Sequence, residues 1–177
     1  MNVFVLNTGR CGSTTFIRAC QHIINYSASH ESNISLLGDA RVAFPPNHIE
    51  ADNRLSWFLG RLDDAYGDDA VYVHLTRSVG DAADSFEKRA GFGIMKAYRE
   101  GIMMLEDDEI SSHQLALDYI YTVERNIALF LKDKTRIQVF RLENAKNDFR
   151  VFWSLIRAEG NLATALKEWD ILHNASG

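Results

Sequence analysis

Three short apolar runs, each followed by a stretch of helical periodicity, limit what this chain can fold into. Residues 3–7 (VFVLN), 71–76 (VYVHLT) and 136–141 (RIQVFR) read as strands. Between and after them, apolar residues recur at three- and four-residue spacing. Phe16, Ile17, Cys20, Ile23 and Ile24 form one stripe over 13–25, and Leu55, Phe58, Leu59 and Leu62 another over 52–66. Val79, Ala82, Ala83, Phe86 and Ala90 mark a helix opened by Ser78, with Asp81 at capping-box spacing and Gly91-Phe92-Gly93 at its end. Ser111 and Gln114 open a long helix to about Lys132, carrying Ile120, Val123, Ile127, Phe130 and Leu131 inward. Residues 94–110 are helical by composition, 144–158 and 161–170 close the chain as helices, and Ser27-Ala28-Ser29 reads as a short second strand. Strands separated by helices pair in parallel and need cover on both faces. The expected fold class is therefore α/β: three α/β/α layers around a central, mainly parallel sheet.

The 177 residues suit one domain, 46% of them hydrophobic and 24% charged. A formal net charge of -5 argues against a general nucleic-acid binder, so any bound anion must be held by local cations and backbone amides. No apolar run of about 18 residues suggests a membrane span, and residues 1–6 are too short for a signal peptide. Cys11 and Cys20 lack metal-ligand spacing and fit free thiols in a reducing, cytoplasmic setting.

Ligands of parallel α/β folds bind where strand ends pass into helices. The first such turn reads Asn7-Thr8-Gly9-Arg10-Cys11-Gly12-Ser13-Thr14-Thr15. Gly9 and Gly12 allow tight turns and close approach of backbone N–H groups to an anion. The helix start favours negative charge, Ser13, Thr14 and Thr15 add hydroxyls, and Arg10 adds a planar fork suited to phosphate or sulfate. A Walker loop would require a Gly-Lys pair that is missing. The second turn, Arg77-Ser78-Val79-Gly80-Asp81-Ala82-Ala83-Asp84-Ser85, sets an arginine at a strand end and a serine about two turns into the next helix.

Together these two stretches resemble the sulfotransferases that use 3′-phosphoadenosine 5′-phosphosulfate (PAPS). That family has a first loop in which a basic residue precedes a small residue, glycine and two hydroxyl residues, as in Arg10-Cys11-Gly12-Ser13-Thr14. Its second signature is a strand-end arginine with a serine eight residues on, as in Arg77 and Ser85. Phe140-Arg141-Leu142-Glu143 is similar to the strand and acidic turn that follow, and His173-Asn174-Ala175-Ser176 to late segments near the nucleotide. Arg10, in place of the lysine of cytosolic members, is closer to Golgi carbohydrate enzymes and bacterial members. The resemblance implies a P-loop nucleoside triphosphate hydrolase-like fold and sulfuryl transfer from PAPS, leaving 3′,5′-bisphosphoadenosine (PAP), to a hydroxyl or amine of a small-molecule or saccharide acceptor, with no metal required. It implies that Arg10, Cys11, Gly12, Ser13, Thr14 and Thr15 hold the 5′-phosphosulfate, and that Arg77 and Ser85 hold the 3′-phosphate.

An in-line transfer needs a base for the acceptor proton. Glu31 and His30, after the short second strand, are the expected pair, and either can serve. His48 and Glu50 form a second pair beside Pro45-Pro46, whereas His74 within a strand reads as a core residue. Arg41, Arg54 and Arg61 are candidates for an acceptor pocket. Trp57, Phe92 and Trp153 are candidates for contact with an apolar acceptor or adenine, with core packing favoured for Trp57 and Trp153. Two other readings stand beside this one: an atypical P-loop kinase or nucleotide hydrolase, with Asp39 as its available carboxylate, and a non-catalytic nucleotide binder.

Overall fold

The computed structural model describes residues 1–106 and 110–171. Its centre is a five-stranded sheet in the order β2-β3-β1-β4-β5, with β1 at Val3–Leu6, β2 at Ser27–His30, β3 at His48–Ala51, β4 at Val71–Thr76 and β5 at Ile137–Arg141. Every pairing is parallel; Val3 lies opposite Ile49 on one side and Val71 on the other. The expected three-layer architecture is present.

Alternation along β1 divides the core. Val3 and Val5 face one cluster with Phe16, Phe140, Phe149 and Phe152, while Phe4 and Leu6 face a second with Leu55, Leu62, Tyr72 and Tyr119. The first cluster is covered by α1 (Ser13–Cys20), α6 (Ala145–Leu155) and α7 (Leu162–Lys167). The second is covered by α2 (Leu59–Tyr66), α3 (Val79–Glu87), α4 (Gly93–Ala97) and α5 (Ser112–Leu131). In the first cluster the Phe16 ring meets those of Phe140, Phe149 and Phe152 edge-on at 5.1, 5.7 and 4.9 Å.

Several boundaries differ from the sequence expectation. The first helix stops at Cys20 rather than 25, because the chain turns to bridge Ile23 to Gly160. The expected 52–66 helix divides into a 3-10 turn, Asn53–Trp57, and α2, and Trp57 is partly exposed. The 94–110 segment is α4 followed by a π-turn at Tyr98–Ile102; residues 107–109 lie outside the described residues. The capping box at Ser111 and Gln114 is formed. The one expected at Ser78 and Asp81 is not: Ser78 makes no side-chain cap, and its N–H donates to Glu143 Oε1 at 2.6 Å.

β3 is the strand that periodicity missed. His48-Ile49-Glu50-Ala51 carries two polar residues, yet all four are buried. His48 and Glu50 satisfy each other at 3.0 Å, Ser27 Oγ lies 2.7 Å from His48 Nδ1, and Ser32 donates its N–H and hydroxyl to the Glu50 carboxyl oxygens at 2.8 and 2.7 Å. Buried polar groups with complete partners are tolerated in a core strand, and only the folded chain supplies those partners. This second histidine–glutamate pair is thus a structural unit inside the sheet. Its Ser32 contacts fix the loop just after Glu31.

Candidate functional site

β1 lies between β3, reached from β2 at the sheet edge, and β4, which continues the sheet the other way. Loops leaving β1 and β4 therefore part and leave a crevice at their carboxyl ends. A cavity of about 760 Å³ occupies that place. It is lined by Gly9, Arg10, Gly12, Ser13, Thr14 and Thr15 of the first loop and by Arg77 and Ser85 of the second. His30 and Glu31 line it from the end of β2. Residues spread over most of the sequence thus share one wall.

The first loop owes its shape to backbone in the left-handed region: φ is 90° at Gly9, 60° at Arg10 and 86° at Gly12. A Cβ on Gly12 would lie 2.7 Å from Leu142 Cδ1, so the strand-to-helix turn passes close under the turn after β5. Asn7 braces the loop from below, its Oδ1 accepting from Gly9 N–H at 2.8 Å, and Tyr119 donates its hydroxyl to the Thr8 carbonyl at 2.9 Å. Gly12 caps α1 without a side-chain hydrogen bond, and Gly12, Ser13, Thr14 and Thr15 line the cavity. Cys11, named as a binding residue from sequence, contributes no side chain to that wall. Its thiol is buried against Thr8 Oγ1 and the Gly9 carbonyl, each at 3.2 Å, and burial pushes its pKa up to about 11. Only its backbone can face a ligand.

Arg10 and Ser85, 75 residues apart in the chain, meet directly: Arg10 Nε donates to Ser85 Oγ at 2.8 Å. Arg77 reaches the same place from β4, donating from Nη1 to the Arg10 carbonyl at 3.2 Å. The charged form of Arg10 is disfavoured by burial and then by the nearby charges of Arg89 and Arg77, which lowers its pKa. Across the cavity, Ser13 Oγ lies 2.9 Å from His30 Nε2. Glu31, at φ 53°, places Oε1 3.1 Å from Arg54 Nη1, an ion contact without the alignment of a good hydrogen bond.

Of the three candidate acceptor-pocket arginines, Arg54 alone lines the cavity. Arg41 is buried in an ion pair with Asp52 and stacks on Phe58, while Arg61 donates to the Gly38 carbonyl. Asp52 also accepts from the Arg54 N–H at 2.8 Å, so the buried pair sets the turn that aims Arg54. Phe92 is on the cavity wall, 58% exposed. Trp153 packs partly buried against the first core cluster. His74 pairs with Glu124 at 2.8 Å in the body of the fold, as expected of a core residue. Asp39 is exposed and off the cavity wall. His173-Asn174-Ala175-Ser176 lie outside the described residues.

Sequence reading missed Asn53, Lys88, Arg89, Leu142 and Trp169 on the same wall. The basic pair Lys88-Arg89, three and four residues past Ser85 and just beyond the end of α3, was a legible signal. Asn53 was not legible without β3, whose end it follows.

No protein-family model matches the sequence, and no curated protein sequence matches it. Solved structures do. A sulfotransferase domain from the curacin biosynthetic pathway superposes with a TM-score of 0.61 at 14% identity, over 93% of this chain and 75% of that one. The mouse sulfotransferase SULT7A1, complexed with PAP, gives a TM-score of 0.61 at 13% identity, over 95% of this chain and 64% of that one. At such identities the likeness is one of architecture: this chain has the fold of these sulfotransferases.

Proposed function

We propose that this protein is a sulfotransferase that moves a sulfuryl group from PAPS to a hydroxyl or amine of a small-molecule or saccharide acceptor. The observation that carries the reading is the meeting of Arg10 with Ser85, which joins two anion-suited loops at one cavity. The SULT7A1 structure, of the same fold, is a complex with PAP.

In this reading the backbone from Cys11 to Thr14, with Arg10, Ser13, Thr14 and Thr15, holds the 5′-phosphosulfate. Arg77 and Ser85 hold the 3′-phosphate. The bond between sulfur and the bridging phosphate oxygen breaks as a bond from the acceptor oxygen or nitrogen to sulfur forms. The acceptor proton passes to a side-chain base, and PAP leaves with the bridging oxygen. Positioning and electrostatic stabilisation supply most of the acceleration. His30, hydrogen-bonded to Ser13, sits at the donor side, where it orients the hydroxyl that meets the sulfuryl oxygens. Glu31 is the base, its carboxyl group steered by Arg54 on the acceptor side. The kinase reading loses ground because the opening loop has no lysine.

Thermal shift with PAP against ATP–magnesium tests the donor. PAP at a hundredfold its Kd should stabilise by about 2.7 kcal/mol. Stabilisation by ATP–magnesium alone would overturn the proposal. Glu31→Gln should lower kcat by about 10²- to 10⁴-fold with PAP affinity unchanged. Full turnover in that variant, with the loss appearing instead in His30→Gln at unchanged PAP affinity, would move the base to His30.

A further inference from the structure

Helices α3 and α5 bring together three ligand-type side chains that the transfer reaction does not use. The two helices pack against each other, with the Phe86 ring edge-on to Tyr119 at 5.3 Å. Asp84 and Glu87, three residues apart on α3, share one side of that helix. His113 stands opposite them in the first turn of α5, directly inside the Ser111–Gln114 capping box that fixes the start of the helix. Its Nδ1 lies 3.6 Å from Asp84 Oδ1 and 3.6 Å from Glu87 Oε2. Both separations are too long for a hydrogen bond, which would draw the ring onto one carboxyl group at about 2.7–2.9 Å. The three donor atoms all lie within 4.8 Å of one another. Donors held about 2.0–2.2 Å from one tetrahedral ion stand about 3.3–3.6 Å apart, so a shared ion accounts for the two equal histidine distances and needs only a small side-chain adjustment at the carboxylates. All three side chains are open to solvent, which gives an ion a way in without moving the core.

We propose that Asp84, Glu87 and His113 form a site for a divalent transition-metal ion of the zinc class, bridging α3 to α5. One imidazole nitrogen with two carboxylate oxygens is a donor set suited to that class, whereas magnesium favours six oxygen ligands. The ion removes the repulsion between two neighbouring carboxylates and ties the helix that carries Ser85 to the capped start of α5. Asp84 also lines the cavity, so the ion binds at its edge. The site is independent of the donor nucleotide and stands whether or not the chain transfers sulfuryl groups.

Calorimetric titration of EDTA-stripped protein with zinc chloride, in buffer free of phosphate and nucleotide, tests this. The wild type should bind one Zn²⁺ per chain, and His113→Gln, Asp84→Asn and Glu87→Gln should each weaken that binding by at least about tenfold. The three side chains are solvent-exposed, so the metal-free variants should keep the Tm of the metal-free wild type. Zinc chloride should raise the Tm of the wild type and not that of His113→Gln, and magnesium chloride at the same concentration should leave both unchanged. Absence of saturable Zn²⁺ binding, Zn²⁺ binding of equal affinity in His113→Gln, or magnesium bound as tightly as zinc overturns the assignment, and each leaves the sulfotransferase reading where it was.

Discussion

Ser32→Ala probes the buried network that holds the candidate base. Glu50 is fully buried in β3, and its carboxyl group has three donors or partners: Ser32 N–H on Oε1 at 2.8 Å, with Ser32 hydroxyl and His48 Nε2 on Oε2 at 2.7 and 3.0 Å. The substitution deletes the hydroxyl donor to Oε2 and keeps the Ser32 N–H and His48 contacts. An under-satisfied buried acceptor costs about 1–3 kcal/mol. For a chain of this size each kcal/mol lowers Tm by about 2–4 °C, so the loss should be about 2–12 °C. Urea denaturation of Ser32→Ala, Glu50→Gln and the double variant measures the coupling directly. The two changes should couple by at least about 0.5 kcal/mol, because each removes part of one interaction. Ser32 also follows Glu31, so the variant should lose sulfuryl transfer beyond what its unfolded fraction explains, with PAP affinity intact. Additive stability losses, or a Ser32→Ala protein as stable as the wild type, would refute the claim that the network fixes this loop.

Two further outcomes follow from the first loop. Gly12→Ala places a Cβ at φ 86° and 2.7 Å from Leu142 Cδ1; it should cost about 1–3 kcal/mol in urea denaturation and weaken PAP in calorimetric titration, because the turn must change shape. The buried Cys11 thiol, held up to about 11, favours the folded state while it stays protonated, so its contribution is whole below the ordinary thiol value of 9.0 and is lost as pH rises through about 11. Stability measured across that window should fall less steeply in Cys11→Ala, and the native thiol should resist alkylation at pH 8 until the chain unfolds.

Much of the fold was legible locally. Phe16, Ile17 and Cys20 lie on the buried face of α1, and the Ser111–Gln114 capping box forms as its spacing predicts. The two loops were legible because each is a continuous stretch whose residue types suit one task. The placement of the three arginines was harder to read. Arg41, Arg54 and Arg61 look alike in sequence, but one is buried against Asp52, one lines the cavity and one binds a surface carbonyl. Their difference lies in partners supplied by other segments.

The sequence by itself determined the strand–turn–helix at the start, the eight-residue spacing of Arg77 and Ser85, and the alternation that requires a parallel sheet. These depend on neighbours within a few residues, where period and steric preference act. Tertiary structure alone decided that His48 and Glu50 lie in a core strand, that Cys11 turns away from the cavity, and that Arg10 reaches Ser85. Burial of a polar side chain is favourable only when a distant donor or acceptor completes it, and no local pattern records which distant residue that will be.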